Sequence, residues 1–299
     1  MTKTLKKLNR SQALSLAQSV NNIEAFKFNL KLHLNRLGKP KNGNHSTWQA
    51  VFSALLAFVE NDLKEPPFSI FTKGNSKLPF FSFSSLPLVD CPGMGACQSF
   101  CYSLSAWQYP AALARMLQNS LLLRYNRQAI KSAFMQLPEN RVLRLYVDGD
   151  FYNKDILVFW LNLCKERKDL DIYGYSKSWQ LFLDLHKENF AWPENYSLNL
   201  SSGSRYSEEK RKAMEKLPVT RGNFIALQTE KRFIREGIYK SKRIKGFAEY
   251  QNDLRERAKK LGMQKTFVCA GKCGDCLPNG KHACGSSKMK NVNIVIGVH

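Results

Sequence analysis

Apolar residues at Leu14, Leu16, Ile23, Phe26, Phe28, Leu30 and Leu34 stand among polar ones, a spacing that predicts a helix over residues 11–35. The run Gly38-Lys-Pro-Lys-Asn-Gly43 breaks the pattern, and Thr47 suits the N-cap of a second helix over Trp48–Val59. Beyond Pro66-Pro67 the period changes. Short runs rich in β-branched and aromatic residues predict strands at Leu78–Leu88, Val142–Val147, Leu170–Tyr175, Tyr196–Leu200 and Asn223–Leu227, with a closing strand at Val292–Val298. Helical spacing separates them. One or two helices are expected over Pro110–Leu137, and others over Lys154–Arg167, Trp179–Asn189 and Glu208–Lys216. The Lys154–Arg167 helix carries Ile156, Leu157, Trp160, Leu161 and Cys164 on one side. Alternation of this kind over about 150 residues predicts an α/β fold with a mainly parallel sheet, or a (β/α) barrel, complete or partial. No repeat of fixed length and no low-complexity tract interrupts it.

In such a fold ligands gather at the C-terminal ends of the strands. The residues that follow the expected strands are Asp148-Gly149-Asp150, Ser176-Lys177-Ser178, Ser201-Ser202-Gly203-Ser204-Arg205 and Gln228-Thr229-Glu230. Each group offers carboxylates, hydroxyls or a lysine, as a site at the strand ends requires. Polar residues also end strands in proteins without a site there, so the pattern gains weight only beside other chemistry.

Composition narrows the class. The chain has 299 residues, 43% hydrophobic, 12% aromatic and 23% charged, which supports a sizeable core and excludes wholesale disorder. No apolar stretch approaches the roughly 20 residues of a membrane span. The longest, Ala50–Val59, contains Ser53. Lys3, Lys6, Lys7 and Arg10 make a basic start, yet Ser15, Gln18 and Ser19 interrupt Ala13–Val20. It makes a poor signal peptide, and a cytoplasmic protein with no membrane partner is expected.

The net charge is +22, from 46 basic and 24 acidic residues. Residues 42–204 are nearly neutral, with 15 basic against 14 acidic. The excess lies in the flanks: nine against one in residues 1–41, 17 against eight in 205–260, and five against one thereafter. A single basic run is most often a solvated helix face. The aggregate favours a polyanionic partner, most simply nucleic acid.

Eight cysteines in a cytoplasmic chain argue for metal rather than disulfides. Cys164 stands alone on an apolar helix face, where a buried small hydrophobe is expected. The others form two groups, Cys91, Cys97 and Cys101, and Cys269, Cys273, Cys276 and Cys284. The second group is compact and glycine-rich. Its four thiolates suit tetrahedral zinc or an iron–sulfur cluster, with His282 a bystander. Three thiolates in the first group leave a fourth ligand to come from elsewhere or a coordination position open.

Four motifs occur in order: Cys91-Pro-Gly-Met-Gly-Ala-Cys97-Gln-Ser-Phe-Cys101-Tyr102, then Arg144-Leu-Tyr-Val-Asp-Gly149-Asp150-Phe151-Tyr152-Asn153 with Trp160 behind it, then Tyr173-Gly-Tyr175-Ser176-Lys177-Ser178-Trp179, then the cysteine-rich tail ending in an apolar strand and His299. Over roughly residues 75–299 the chain resembles the phage and plasmid gene product 88 family. That resemblance implies mobile-element company more than an activity. More loosely it is similar to radical S-adenosylmethionine proteins, whose three-cysteine loop follows the first strand and whose cluster holds the cofactor at an open iron. Their usual Cys-x3-Cys-x2-Cys spacing falls here at Cys269, Cys273 and Cys276, with only 23 residues after it, whereas the Cys91 group has the location with a different spacing. The likeness implies a partial (β/α) barrel in which Asp148, Gly149, Asp150, Ser176 and Ser202 help bind the cofactor.

Two readings follow. In the first, the chain is a radical-SAM-like iron–sulfur protein acting on or with nucleic acid. Cys91, Cys97 and Cys101 hold a 4Fe–4S cluster, Asp150 and Lys177 serve the chemistry, and the tail cysteines hold a second cluster or zinc. In the second, a non-enzymatic nucleic-acid-binding protein uses its cysteines only as staples, and Lys210, Arg211, Lys212, Lys242, Arg243, Lys245 and the N-terminal lysines contact phosphates. Nothing in the spacing suggests a helix–turn–helix, a C2H2 finger, a Walker loop or a hydrolase dyad. The expected organisation is a basic helical extension (1–70), a βα core (71–260) and a cysteine-rich metal-binding tail (261–299).

Overall fold

The computed structural model describes residues 8–38, 47–277 and 282–298. The lysines before residue 8, residues 39–43 of the expected hinge and His299 lie outside the described residues. The described residues form two compact units: those within 1–71, 84–90 and 101–137 make one, and those within 72–83, 91–100 and 138–298 the other.

The first unit is helical, with α1 (Arg10–Gln18), α2 (Ile23–Leu37), α3 (Thr47–Glu60), α4 (Pro110–Tyr125) and α5 (Arg127–Met135). The single helix expected over 11–35 is therefore two. Asn22 is extended at φ −138° and its side chain accepts from the N–H groups of Glu24 (3.1 Å) and Ala25 (3.0 Å), so the chain stops and restarts there. Thr47 is the first residue of α3, and its predecessor lies outside the described residues. Helix α4 buries three polar side chains. Gln118 bonds both backbone groups of Phe68 (2.9 and 2.8 Å), and Asn119 donates to the carbonyls of Ile70 and Ser84. Ser120 donates to Asp90 (2.6 Å), which also takes Arg124 at 2.7 Å. These bonds fasten residues 84–90 to α4.

The second unit contains seven parallel strands among the described residues: β1 (Phe81–Ser82), β2 (Val142–Leu145), β3 (Asp171–Ser176), β4 (Tyr196–Ser201), β5 (Thr220–Leu227), β6 (Thr266–Val268) and β7 (Asn293–Gly297). Their order is β1-β2-β3-β4-β5-β7-β6. Helices α6 (Lys154–Glu166), α7 (Trp179–Lys187), α8 (Glu208–Glu215), α9 (Lys231–Arg235) and α10 (Phe247–Lys260) lie between the strands in the chain. The α/β class and the parallel pairing are as expected, and Cys164 of α6 is buried as expected. The strand expected over Leu78–Leu88 shrinks to two residues, because the chain leaves the sheet at Ser84 for the other unit.

Pleating divides the sheet into two faces. On one, Val268 and Val295 pack with Tyr250, Leu254 and Ala258 of α10. Basic residues dominate the α10 stretch and mask its apolar period, yet Phe247, Tyr250, Leu254 and Ala258 form its buried stripe. The other face presents Val142, Tyr173, Tyr175, Phe224, Phe267 and Ile294, and the cysteine-rich tail covers it with Cys269, Cys276, Leu277, Ala283, Cys284 and Met289. The tail is thus part of the core of this unit. Among the described residues no helix is long and apolar enough to cross a membrane.

Candidate functional site

The C-terminal ends of β2, β3 and β4 carry the residues the strand pattern singled out. After β2 the chain turns through Tyr146 (φ 54°) and Gly149 (φ 80°), and Asp150 comes to the end of β3. Asp150 is buried, and its carboxylate accepts from Ser176 Oγ, the Lys177 N–H and the Phe151 N–H, each at 2.8 Å. Burial pushes its carboxyl pKa up, opposed by those three donors. The arrangement makes Asp150 a brace between two strand ends. Ser176 shares that role, accepting also from the Ser178 N–H (2.9 Å). Asp148 and Gly149 remain partly exposed.

Lys177 points across to the next strand, where its ammonium donates to Ser201 Oγ at 2.9 Å. Ser202 accepts from the Ala226 N–H at 3.0 Å, which links β4 to β5. The structure therefore brings Asp150, Ser176, Lys177 and Ser202 to neighbouring strand ends, as the sequence pattern predicts.

The first cysteine loop lies against the same strand ends. Gly95 N–H donates to the Gly203 carbonyl (3.1 Å), Arg205 N–H donates to the Gly93 carbonyl (3.0 Å), and Met94 and Ser204 form an antiparallel bridge. Backbone approaches backbone so closely that a Cβ on Gly93 would stand 1.7 Å from the Lys177 carbonyl oxygen, and one on Gly95 2.7 Å from Arg205 N. Cys97, in the 3-10 turn Ala96–Phe100, lies against Gly203, with its Cβ 3.1 Å from where a side chain on that glycine would begin. Cys91 and Cys97 are both partly exposed. Cys101 belongs to the helical unit. Sequence reading missed Gly93 and Gly95, although two glycines one residue apart between cysteines were a legible sign of close backbone approach.

The tail cysteines are held differently. Cys269 N–H donates to the Val295 carbonyl (2.9 Å), Cys273 N–H to that of Lys77 (2.9 Å), and Cys276 Sγ accepts from Ala283 N–H (3.2 Å). The Cys284 carbonyl accepts from Asn199 Nδ2 (2.8 Å), and Asn199 Oδ1 accepts from Arg221 Nε (2.7 Å). Burial pushes the Cys269 thiol up to about 11 and Cys284 to about 12, with the neighbouring cysteines adding to both shifts. His282 is buried between Phe80 and Tyr173, ring centres 4.9 and 4.4 Å away, and burial lowers its pKa to about 4. Cys269, Cys276 and Cys284 share one sheet face, but among the described residues no three His, Cys, Asp or Glu side chains close on a point that would hold an ion.

Of the basic residues marked for phosphate contact, Lys210, Arg211 and Lys212 lie on α8, and Lys242, Arg243 and Lys245 precede α10. Arg211 is paired with Glu208 and Glu215, Lys210 sits over the Tyr206 ring (4.8 Å), and Lys242 donates to the Asp275 carbonyl (2.6 Å). Lys212, Arg243 and Lys245 are exposed. A cavity of about 290 Å³ opens at the other ends of β4 and β5, beside Trp192, Tyr196 and Arg221. Arg221 donates there to Asn199 and to the carbonyls of Met289, Val292 and Asn223, so its charge is engaged within the fold.

The profile of the family described as Gene product 88 matches residues 55–288. The chain belongs to the gene product 88 family. The matched span of this gene product 88 protein takes in both cysteine groups and β1 to β6. No curated protein and no solved structure matches it.

Proposed function

We propose that this gene product 88 protein is a cytoplasmic iron–sulfur protein of radical-SAM-like type, of a phage or plasmid, that acts on or with nucleic acid. The observation that carries the reading is the seating of the Cys91–Phe100 loop, backbone against backbone, on the ends of β3 and β4 beside Lys177. Strands β1 to β5 run in sequence order, the order of a partial (β/α) barrel, and in that architecture the strand ends hold the ligand.

Cys91, Cys97 and Cys101 would hold the cluster. The first two fit as partly exposed thiols in a loop fixed by its backbone, and Cys101 joins them on its spacing in the chain. Such a cluster with S-adenosylmethionine supplies one-electron chemistry. This chain's own residues would shape the site: Asp148 and Gly149 at its rim, Asp150 and Ser176 bracing the strand ends, Lys177 and Ser202 presenting polar groups. The basic flanks would attract the nucleic acid, with Lys212, Arg243 and Lys245 exposed for phosphate contact. Lysine and arginine side chains already engaged within the fold, Arg211 above all, contribute less.

A second reading is favoured at the tail. Cys269, Cys276 and Cys284 lie among the apolar side chains of a sheet face, as structural staples do, and zinc there would fasten the cover without any catalysis.

Anaerobic purification followed by metal analysis and visible absorption separates the two. Iron and sulfide with a broad band near the visible blue are expected, with Cys97→Ser removing one centre and Cys273→Ser another. A colourless protein holding zinc and no iron, even after anaerobic reconstitution with iron and sulfide, would sink the enzyme reading. Absence of any oligonucleotide binding at low salt would remove the nucleic-acid half.

A further inference from the structure

We propose that Lys177 and the Ser201–Ser204 loop form a binding site for a phosphate group. Lys177 and Ser202 also serve the proposed function, but no cysteine belongs to this site, and its test is read without a cluster.

The ammonium of Lys177 is held at the end of β3, donating to Ser201 Oγ at 2.9 Å. Among the described residues no carboxylate lies within ion-pair distance of it. The neighbouring acid, Asp150, has one oxygen engaged by Ser176 Oγ and the Phe151 N–H and the other by the N–H of Lys177 itself. The carboxylate therefore positions the lysine backbone while leaving the ammonium to a ligand.

The loop that follows Ser201 supplies further donors. Gly203 has φ +77°, a left-handed residue in a turn, and the N–H groups of Gly203 and Ser204 donate to no acceptor among the described residues. Successive amides in such a turn make a concave anion-binding surface. Ser201 accepts from Lys177 and Ser202 accepts from the Ala226 N–H, so each hydroxyl retains its own proton to donate. One ammonium, the Ser201 hydroxyl and two amides suit the several oxygens of a phosphate better than the two of a carboxylate.

The loop is also held by its neighbours. Gly93 and Gly95 clasp it from one side through the Gly203 carbonyl and the Arg205 N–H, and Ser204 Oγ reaches the carbonyls of Gly93 (3.3 Å) and Lys177 (3.4 Å). Donors fixed before the ligand arrives need no reorganisation on binding. Their place at the carboxyl ends of parallel strands is where α/β sheets receive ligands.

The test uses the purified full chain. Lysine acylation is followed residue by residue by mass spectrometry, at constant ionic strength, with orthophosphate, a 5′-mononucleotide, oligothymidylate or acetate as the probe. Orthophosphate is expected to slow labelling of Lys177 about tenfold while Lys212 is unchanged. Stronger protection by the mononucleotide assigns the phosphate to a nucleotide, and protection strongest with oligothymidylate assigns it to a nucleic-acid backbone. Both support the site. No protection in any arm, equal protection at Lys212, or equal protection by acetate overturns it. Lys177→Met, checked for an unchanged melting temperature, should bind the mononucleotide about tenfold more weakly than the wild-type chain, and unchanged binding would overturn the site. Because the footprint is read on the wild-type chain, a variant that fails to fold leaves the test intact.

Discussion

Two segments of the sheet unit carry the grouped cysteines, and they are fastened by opposite means. The Cys91–Phe100 loop is held by its backbone: Gly93 and Gly95 let it lie against the ends of β3 and β4, and its thiols stay partly exposed. The tail from Cys269 to Met289 is held by side chains buried on the sheet face, with thiol pKa values driven up by burial. The contrast shows that cysteine spacing alone does not tell what a cysteine group does. A loop fixed through its glycines keeps its thiols partly exposed, whereas thiols packed into a core contribute to the fold whether or not they bind metal.

The largest expected effect comes from the tail. Asn199 joins the Cys284 carbonyl, the Gly174 carbonyl and the buried Arg221 guanidinium. Asn199→Ala should lower the stability of the protein to urea by about 3 kcal/mol, since it leaves buried polar groups without partners. A loss below about 0.5 kcal/mol, as at an ordinary surface site, would show that the tail is not anchored there.

Gly93→Ala should cost about 2–3 kcal/mol, because its Cβ meets the Lys177 carbonyl and the backbone must move. It should also expose the Cys91–Phe100 loop to limited proteolysis. Gly262→Ala is the control: unlike Gly93 it has a positive φ, +71°, but nothing lies within 4 Å, so its cost should be limited to about 1 kcal/mol of backbone strain. Equal losses at the two positions would break the claim that close approach fixes the loop.

The smallest effect separates the thiols themselves. In chelator-treated, reduced protein, Cys284→Ser should cost about 1–2 kcal/mol by burying a hydroxyl, while Cys97→Ser should change stability by less than about 0.5 kcal/mol. Similar values for both would mean that the two segments share one mode of attachment.

Much of this architecture was legible in the chain. The βα alternation from Val142 to Leu227 appears where the apolar period placed it, and Asp150, Ser176, Lys177 and Ser202 meet at strand ends because parallel strands align such ends. Short or polar elements were not legible. β6 has three residues, β1 two, and α10 hides its buried stripe among charges. The bracing of Asp150 was also invisible, since a Gly-Asp after a strand reads the same whether its carboxylate faces a ligand or three internal donors.

By itself the sequence determined the α/β class, the family and the grouping of the cysteines, because period, motif order and spacing are local properties of the chain. Only the tertiary structure decided that the tail covers one sheet face and that the first cysteine loop rests on the ends of β3 and β4. Those outcomes depend on contacts between residues far apart, 85 positions for Asn199 with Cys284 and 111 for Gly93 with Ser204. Whether a buried carboxylate, a basic side chain or a thiol is engaged or available is set by such distant partners, and no local pattern records them.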